Sequence, residues 1–379
     1  MEDKSPLKKI KDIRMLTRVG AAMGYYQLFK IRKPLSVQIL ITKFCDMTCD
    51  MCFTYPIDSK EKFTGHKEPT LANIKNLIDQ SCDLGAQVIV PFGGEPLIRK
   101  DIREIINYIK RKERYCVLYT NATYLKNKID DIREADQLVI SMDGDEETHD
   151  SIRGKGSYQR CIEGIELALK KGYWGNLRLH TVLTKKTLHS LPHMKKLAKK
   201  YDVLLNYGYT DATTFTLPAA RNFVPSPEET KIFLSDYLKA HYDGVKISTP
   251  KSVIKRMIKI LDDWPNDNHT ITESTMKDNP TLDIPRCGLK DRNLYIDSDG
   301  RATPCLPLWG RPDNPNVYDT NVKSAWEFYS DYAPSFNDDS SPCYQCRSIF
   351  TIEKGLFYTF SIMHLFEYIE GFKFLKTGS

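Results

Sequence analysis

Seven of the ten cysteines in this 379-residue chain fall into two groups whose spacing suits metal chemistry. The first is Cys45-Asp-Met-Thr-Cys49-Asp-Met-Cys52, a C-x3-C-x2-C array. Three thiolates on one short loop can converge on a single metal centre. A [4Fe–4S] cluster usually takes four thiolates, so three leave one iron open to a substrate or cofactor, as catalytic zinc keeps one open position. Two other readings of the loop are a zinc site completed by His66 and three unrelated cysteines, although the spacing is uncommon for zinc. The second group is Cys287 and Cys305, set around a C-x12-G-x4-C segment, followed by Cys343-x-x-Cys346. Four such thiolates could also hold a structural zinc. Cys82, Cys116 and Cys161 stand apart and read as small buried hydrophobes.

Other polar groups sit where the chain should turn. Phe92-Gly93-Gly94-Glu95-Pro96 lets the backbone come close to a ligand, and unpaired peptide groups there suit a charged amine. Alone, the same stretch is simply a turn. Ser141-Met142-Asp143-Gly144 is followed by Arg153, whose guanidinium fork suits a carboxylate. Ser141 and Asp143 also suit turn formation and helix capping. Thr120-Asn121 is a further ligand-side candidate, and Tyr207, Tyr209 and Asp211 are positioned to line a substrate pocket at the end of a strand. His66, His149, His180 and His189 have no metal partner nearby in sequence.

The elements that must position these groups alternate. The β-branched, apolar run Ser36–Phe44 predicts a buried strand ahead of the cysteine loop. A helix over Thr70–Leu84, capped by Thr70, comes next. Strands over Ala86–Phe92, Tyr115–Thr120, Gln137–Ser141, Leu177–Leu183 and Val203–Tyr207 then alternate with helices over Lys100–Lys112, up to about Arg133, Ser157–Lys171 and Leu188–Lys200. Six strands with intervening helices imply parallel βαβ units. Their spacing fits a barrel or partial barrel, although periodicity alone does not separate that from an open doubly wound sheet. Proline-rich residues 211–286, with helical pieces near 227–241 and 250–262, read as a bridge. Arg292–Asp297 and Arg301–Leu306 form an expected hairpin about Asp299-Gly300. Residues 351–379 read as an aromatic amphipathic tail, and residues 1–34 as a basic amphipathic segment, helical over 8–30 and stopped by Pro34.

The cysteine loop after the first strand resembles the signature of the radical S-adenosylmethionine (radical SAM) superfamily. Met51 stands where that signature places an aromatic residue. Gly93-Gly94-Glu95-Pro96 after the second strand strengthens the likeness. So does ISMDGDEETHDSIRGKGSY, which resembles members with extra C-terminal clusters. The resemblance implies an α/β fold, a partial (β/α)6 radical SAM barrel over 35–210, with a [4Fe–4S] cluster on Cys45, Cys49 and Cys52. S-adenosylmethionine would chelate the open iron, with Gly93, Gly94 and Glu95 near its amine, Ser141 at its ribose or carboxylate, and Arg153 at its carboxylate. Asn121 would be a weaker cofactor contact. One electron would then split the sulfonium bond, giving methionine and a 5′-deoxyadenosyl radical that takes a hydrogen atom from the substrate. Residues 287–350 resemble a twitch domain, the shortened form of the SPASM domain, with one auxiliary [4Fe–4S] cluster on Cys287, Cys305, Cys343 and Cys346.

Composition sets the remaining expectations. Hydrophobic residues at 41% and charged residues at 27% are ordinary for a soluble globular protein, and no apolar run is long enough for a transmembrane helix. A charged Met-Glu-Asp-Lys start without a signal-peptide pattern implies a cytoplasmic location, where grouped cysteines favour metal over disulfides. Residues 1–34 hold nine Lys/Arg against three Asp/Glu, and the remaining residues balance. Peripheral contact with a membrane is one use of that basic end, and packing on the barrel is another. The even charge elsewhere argues against a nucleic-acid partner. The expected partners are a small-molecule or lipid substrate, with a peptide substrate as the alternative, and a reducing protein such as a flavodoxin or ferredoxin. A noncatalytic zinc or electron-transfer protein is the reading from a different class.

Overall fold

The computed structural model describes residues 17–26, 28–29, 31–52, 54, 68–172, 177–210, 222–264, 284, 288–330 and 352. The expected tail, His66, Asp211, Cys287, Cys343 and Cys346 lie outside these residues.

Eight strands form one sheet: β1 (Ser36–Thr42), β2 (Val88–Gly93), β3 (Tyr115–Thr120), β4 (Gln137–Ser141), β5 (Leu177–Leu183), β6 (Leu204–Tyr209), β7 (Asn293–Ile296) and β8 (Ala302–Thr303). Their order is β6-β5-β4-β3-β2-β1-β7-β8. From β1 to β6 each strand lies parallel to the next in chain order. A doubly wound sheet reverses its order partway, so this sequential winding is that of an open, partial barrel.

Helices α1 (Leu71–Asp83), α2 (Ile102–Arg111), α3 (Leu125–Lys128), α4 (Glu146–Arg153), α5 (Ser157–Lys170) and α6 (Leu191–Tyr201) fill the crossovers. Thr70 begins α1 through a capping box, its Oγ1 accepting from Asn73 N at 3.1 Å while Asn73 Oδ1 accepts from Thr70 N at 3.1 Å. In α2, Ile102, Ile105, Ile106 and Ile109 repeat at three and four residues, and all four are buried against the sheet. The main core lies between this helical layer and the sheet, and a smaller apolar cluster occupies the other face.

Three departures from the sequence reading matter for the site. The helix expected up to Arg133 shrinks to Leu125–Lys128, and Glu146–Arg153 forms a helix within the motif-bearing stretch. The hairpin forms, with Tyr295 opposite Thr303 and Gly300 at φ +90°, but β7 also pairs in parallel with β1 from Ser36–Asn293 to Ile39–Ile296. Local pattern could not reveal that pairing, since 250 residues separate β1 from β7. Finally, the bridge packs on the barrel edge. Its helices α7 (Pro227–Tyr242) and α8 (Lys251–Asp262) contact each other, while Leu205 of β6 bonds to Lys246 O at 2.8 Å and accepts from Ser248 N at 3.0 Å. This backbone pairing covers an otherwise open strand edge.

At the amino end, residues 17–26 are helical. Tyr26 is buried, whereas Tyr25, Leu28 and Phe29 are exposed. Arg32 ties this end to the carboxyl-terminal part through Lys290 and Trp326. Among the described residues, no helix is long and apolar enough to cross a membrane.

Candidate metal and cofactor site

The cysteine loop leaves the carboxyl end of β1, the end at which parallel α/β sheets carry their ligands. Its entry is fixed by Phe44 N donating to Thr42 Oγ1 at 3.1 Å and Lys43 N donating to Glu68 Oε1 at 2.9 Å. Within the loop, Met47 N donates to Cys45 Sγ at 3.4 Å and Cys52 N to Cys49 O at 3.2 Å. These bonds fold the x3 and x2 spacers into turns and leave all three cysteines partly exposed and outside any disulfide, with Cys52 Sγ 2.9 Å from Thr54 Oγ1.

The glycine pair has a reason that the sequence reading did not supply. A Cβ on Gly93 would lie 2.3 Å from Thr42 O, and one on Gly94 would lie 2.3 Å from Phe44 O. Thus the close approach is to the backbone of β1 and its loop. It allows Gly94 N to donate to Thr42 O at 2.9 Å and Glu95 N to Phe44 O at 2.8 Å. Glu95 is also reassigned. Its side chain is buried, with Oε1 accepting from Leu97 N at 3.0 Å and Thr120 Oγ1 at 2.9 Å, and Oε2 from Asn121 N at 2.7 Å. Burial pushes this carboxyl up to about 7, against the pull of those hydrogen bonds. Glu95 is therefore a brace between β2 and β3 rather than an exposed side chain.

Asn121 continues the chain of support. Its Nδ2 donates to Asp46 Oδ1 at 2.8 Å and lies 3.9 Å from Cys45 Sγ. The aspartate inside C-D-x-x-C escaped the sequence reading, although its place between two candidate ligands was a usable signal. Cys161 closes the layer below, its Sγ donating to Asn121 O at 3.3 Å and to Ser141 O at 3.5 Å. It is thus a peg between the ends of β3 and β4.

At the end of β4, Asp143 is fully buried and its Oδ2 accepts from Arg153 Nε. Arg153 therefore has an internal partner. Asp143 N donates to His149 Nδ1 at 3.1 Å, and Asp143 Oδ1 is buried without a hydrogen-bond partner among the described residues. This ion pair flanks Cys49. Burial pushes the Cys49 thiol up to about 11, and the Arg153 charge works against that rise. Burial likewise pushes Cys45 to about 12, opposed by its bond from the Met47 amide. Bare thiolates are disfavoured here, so a cation that coordinates them must supply the compensating charge.

The donor set fits an iron–sulfur cluster. Cluster thiolates each bind a different iron, so their sulfurs need not meet at one point. The orphaned Asp143 Oδ1, beside Cys49, offers an acceptor to a bound hydroxyl or amine. Ser141 ends β4 partly exposed, on the face opposite the helices.

Other expected contacts fall elsewhere. Tyr207 and Tyr209 do not line the helix-free face, because strand alternation turns them toward the helices. Tyr207 packs edge-on to Phe233 at 4.7 Å, and Asn206 and Gly208 face the other way. Cys305 is buried at the end of the hairpin, and its three expected partners lie outside the described residues.

Residues 39–198 match the family described as the Radical SAM superfamily. The chain is 29% identical over 246 residues to an AdoMet-dependent heme synthase of Methanosarcina barkeri, covering 58% of this chain and 69% of that protein. It spans less than half the length of the next three curated relatives it matches. In fold it resembles Streptococcus suis SuiB bound to precursor peptide SuiA, with TM-score 0.62, 16% identity and coverage of 93% of this chain and 77% of that one. It also resembles anSMEcpe with bound AdoMet, with TM-score 0.57, 17% identity and coverage of 90% and 96%. The cysteine loop, the glycine turn and strands β2 to β5 all fall within residues 39–198, the part of this chain that matches the radical SAM superfamily.

Proposed function

We propose that this chain cleaves S-adenosylmethionine reductively and uses the product to abstract hydrogen from a small-molecule or lipid substrate. The observation that carries this reading is the seating of the three-thiol loop. Cys45, Cys49 and Cys52 leave the carboxyl end of β1, and the loop is held there by Asn121 through Asp46 and by the Gly94 and Glu95 amides. When bound, a [4Fe–4S] cluster on these thiolates would supply one electron to split the sulfonium bond and release a 5′-deoxyadenosyl radical. The protein's part is to hold and to shield. In this reading main-chain carbonyls at Gly93 and Gly94 would receive the amine of the cofactor, and Ser141 and Asp143 its polar groups. The Arg153 charge is already balanced by Asp143, so it steadies that carboxylate instead of meeting the cofactor alone.

Cys305, with Cys287, Cys343 and Cys346, would hold an auxiliary [4Fe–4S] cluster that conducts electrons or takes one from the substrate. A flavodoxin or ferredoxin is the expected electron source, and the cytoplasm the expected location. Anaerobic reconstitution with iron and sulfide, then dithionite and S-adenosylmethionine, tests the reading. We expect 5′-deoxyadenosine from the parent chain and none from a Cys45→Ala/Cys49→Ala/Cys52→Ala variant. About eight irons per chain would match two four-iron clusters, falling to about four in Cys305→Ala. A colourless protein that retains zinc would sink the proposal.

A further inference from the structure

The helix-free face of the sheet has two unlike halves. Over β1, β2 and β7 it is filled. Phe92, Tyr295 and Trp309 pack edge to face with centroids between 5.9 and 6.2 Å apart, each buried, and Leu40, Val90, Val117 and Val139 complete the cluster. Over β5 and β6 the same face carries polar residues beside the apolar Leu204 and Val182. The register pairs Val139 with Arg178, Ser141 with His180, and His180 with Asn206. Paired residues of parallel strands project to one side, so Arg178, His180 and Asn206 share the face of the aromatic cluster. All three are partly exposed. The space left to a substrate therefore lies against this strip, not against the filled half.

The strip is built. A Cβ at Gly208 would come within 2.7 Å of His180 Cε1, so only glycine leaves room for the imidazole. Tyr119 meets that ring edge-on at 5.7 Å, and His180 Nδ1 lies 2.8 Å from Asn206 Oδ1. Beside this fixed pair, Arg178 Nε is buried and has no hydrogen-bond partner among the described residues. Leaving such a buried donor unmet is unfavourable, and a bound acceptor removes that cost.

We propose that Arg178, flanked by His180 and Asn206, receives an anionic group of the substrate, a carboxylate or a phosphate. Arg178 stands two residues, about 7 Å, deeper along β5 than His180, the residue level with Ser141. A substrate anchored there by its acid presents its other end toward the cysteine loop. This assignment rests on the radical reading for the purpose of the site, but not for the binding of the anion.

The test is calorimetric titration of the reconstituted full chain, saturated with S-adenosylmethionine, using inorganic phosphate, benzoate and the neutral benzyl alcohol. One of the two anions should bind, and which one does names the acid. Arg178→Gln should weaken it at least about tenfold, and Arg178→Lys should restore part of the loss. An arm that needs no variant guards against misfolding: the binding anion should protect Arg178 from phenylglyoxal, read by peptide mass spectrometry. Equal binding by Arg178→Gln, no anion binding to the parent, equal binding of benzyl alcohol, or an unprotected Arg178 would each overturn the proposal. So would anion binding that S-adenosylmethionine abolishes, since Arg178 would then serve the cofactor. Assay of 5′-deoxyadenosine on the same preparation separates the two claims. Product without anion binding removes only the Arg178 assignment, and anion binding without product removes only the radical reading.

Discussion

The side-chain amide of Asn121, at the end of β3, donates to Asp46 Oδ1 at 2.8 Å, so one strand end holds the cysteine loop of another. Asn121 Oδ1 in turn accepts from Thr123 N at 3.0 Å, which fixes the amide in this orientation. Asn121→Ala removes both bonds, each worth about 1 kcal/mol. We expect the fold to survive and the reconstituted protein to lose iron several-fold faster to a chelator. Unchanged iron loss would mean that the loop holds itself.

Glu95 carries a heavier share of the same support. Glu95→Ala strands the Leu97 amide, the Thr120 hydroxyl and the Asn121 amide in a buried place. Unmet buried donors cost about 1–3 kcal/mol each, so we expect a loss of at least about 3 kcal/mol in urea unfolding. Glu95→Gln keeps one acceptor oxygen and should lose less. Equal stability of the alanine variant would show that Glu95 does not brace these strand ends.

The order in which these supports became legible follows the range of each interaction. The three thiols, the glycine pair and the six alternating strands are local patterns, and the strands expected at Tyr115–Thr120, Gln137–Ser141 and Leu177–Leu183 form with those bounds. Alternation also contained the correction to Tyr207 and Tyr209, because β6 must turn Asn206 and Gly208 to the opposite side. What the sequence hid was long-range. No local signal joins Asp46 to Asn121, Glu95 to the β3 end, or β7 to β1, since each pairing is chosen by the folded sheet. The role expected for Gly93 and Gly94 pointed toward a ligand, whereas the nearest atoms belong to a neighbouring strand.

Arg32 gathers several long-range contacts at once. Its guanidinium donates to Lys290 O at 2.9 and 3.1 Å and to Trp326 O at 2.6 Å, and lies 4.0 Å from the centroid of the Trp326 ring. A planar fork can satisfy both carbonyls while stacking, which an ammonium cannot. Arg32→Lys should therefore lose nearly as much as Arg32→Ala, about 2–3 kcal/mol by denaturant unfolding. Full rescue by lysine would reduce the contact to charge alone.

His149 gives the fold a dependence on acid. The ring is buried, with Nδ1 accepting from Asp143 N and Nε2 lying 3.7 Å from Cys161 Sγ. Burial lowers its value to about 4, helped by the Arg153 and Arg160 charges and opposed by Asp143 and Asp150. Protonation would convert the Nδ1 acceptor into a donor facing an N–H. The unfolded chain binds this proton near pH 6.5 and the folded chain only near 4, so the contribution is whole above 6.5 and is lost as pH falls through 4. We expect the parent chain to lose on the order of 2–3 kcal/mol between pH 7 and pH 4 from this group. His149→Gln keeps an acceptor without titrating, so its urea midpoint should fall less steeply over the same range. Parallel pH profiles for the two proteins would show that the acid sensitivity resides elsewhere.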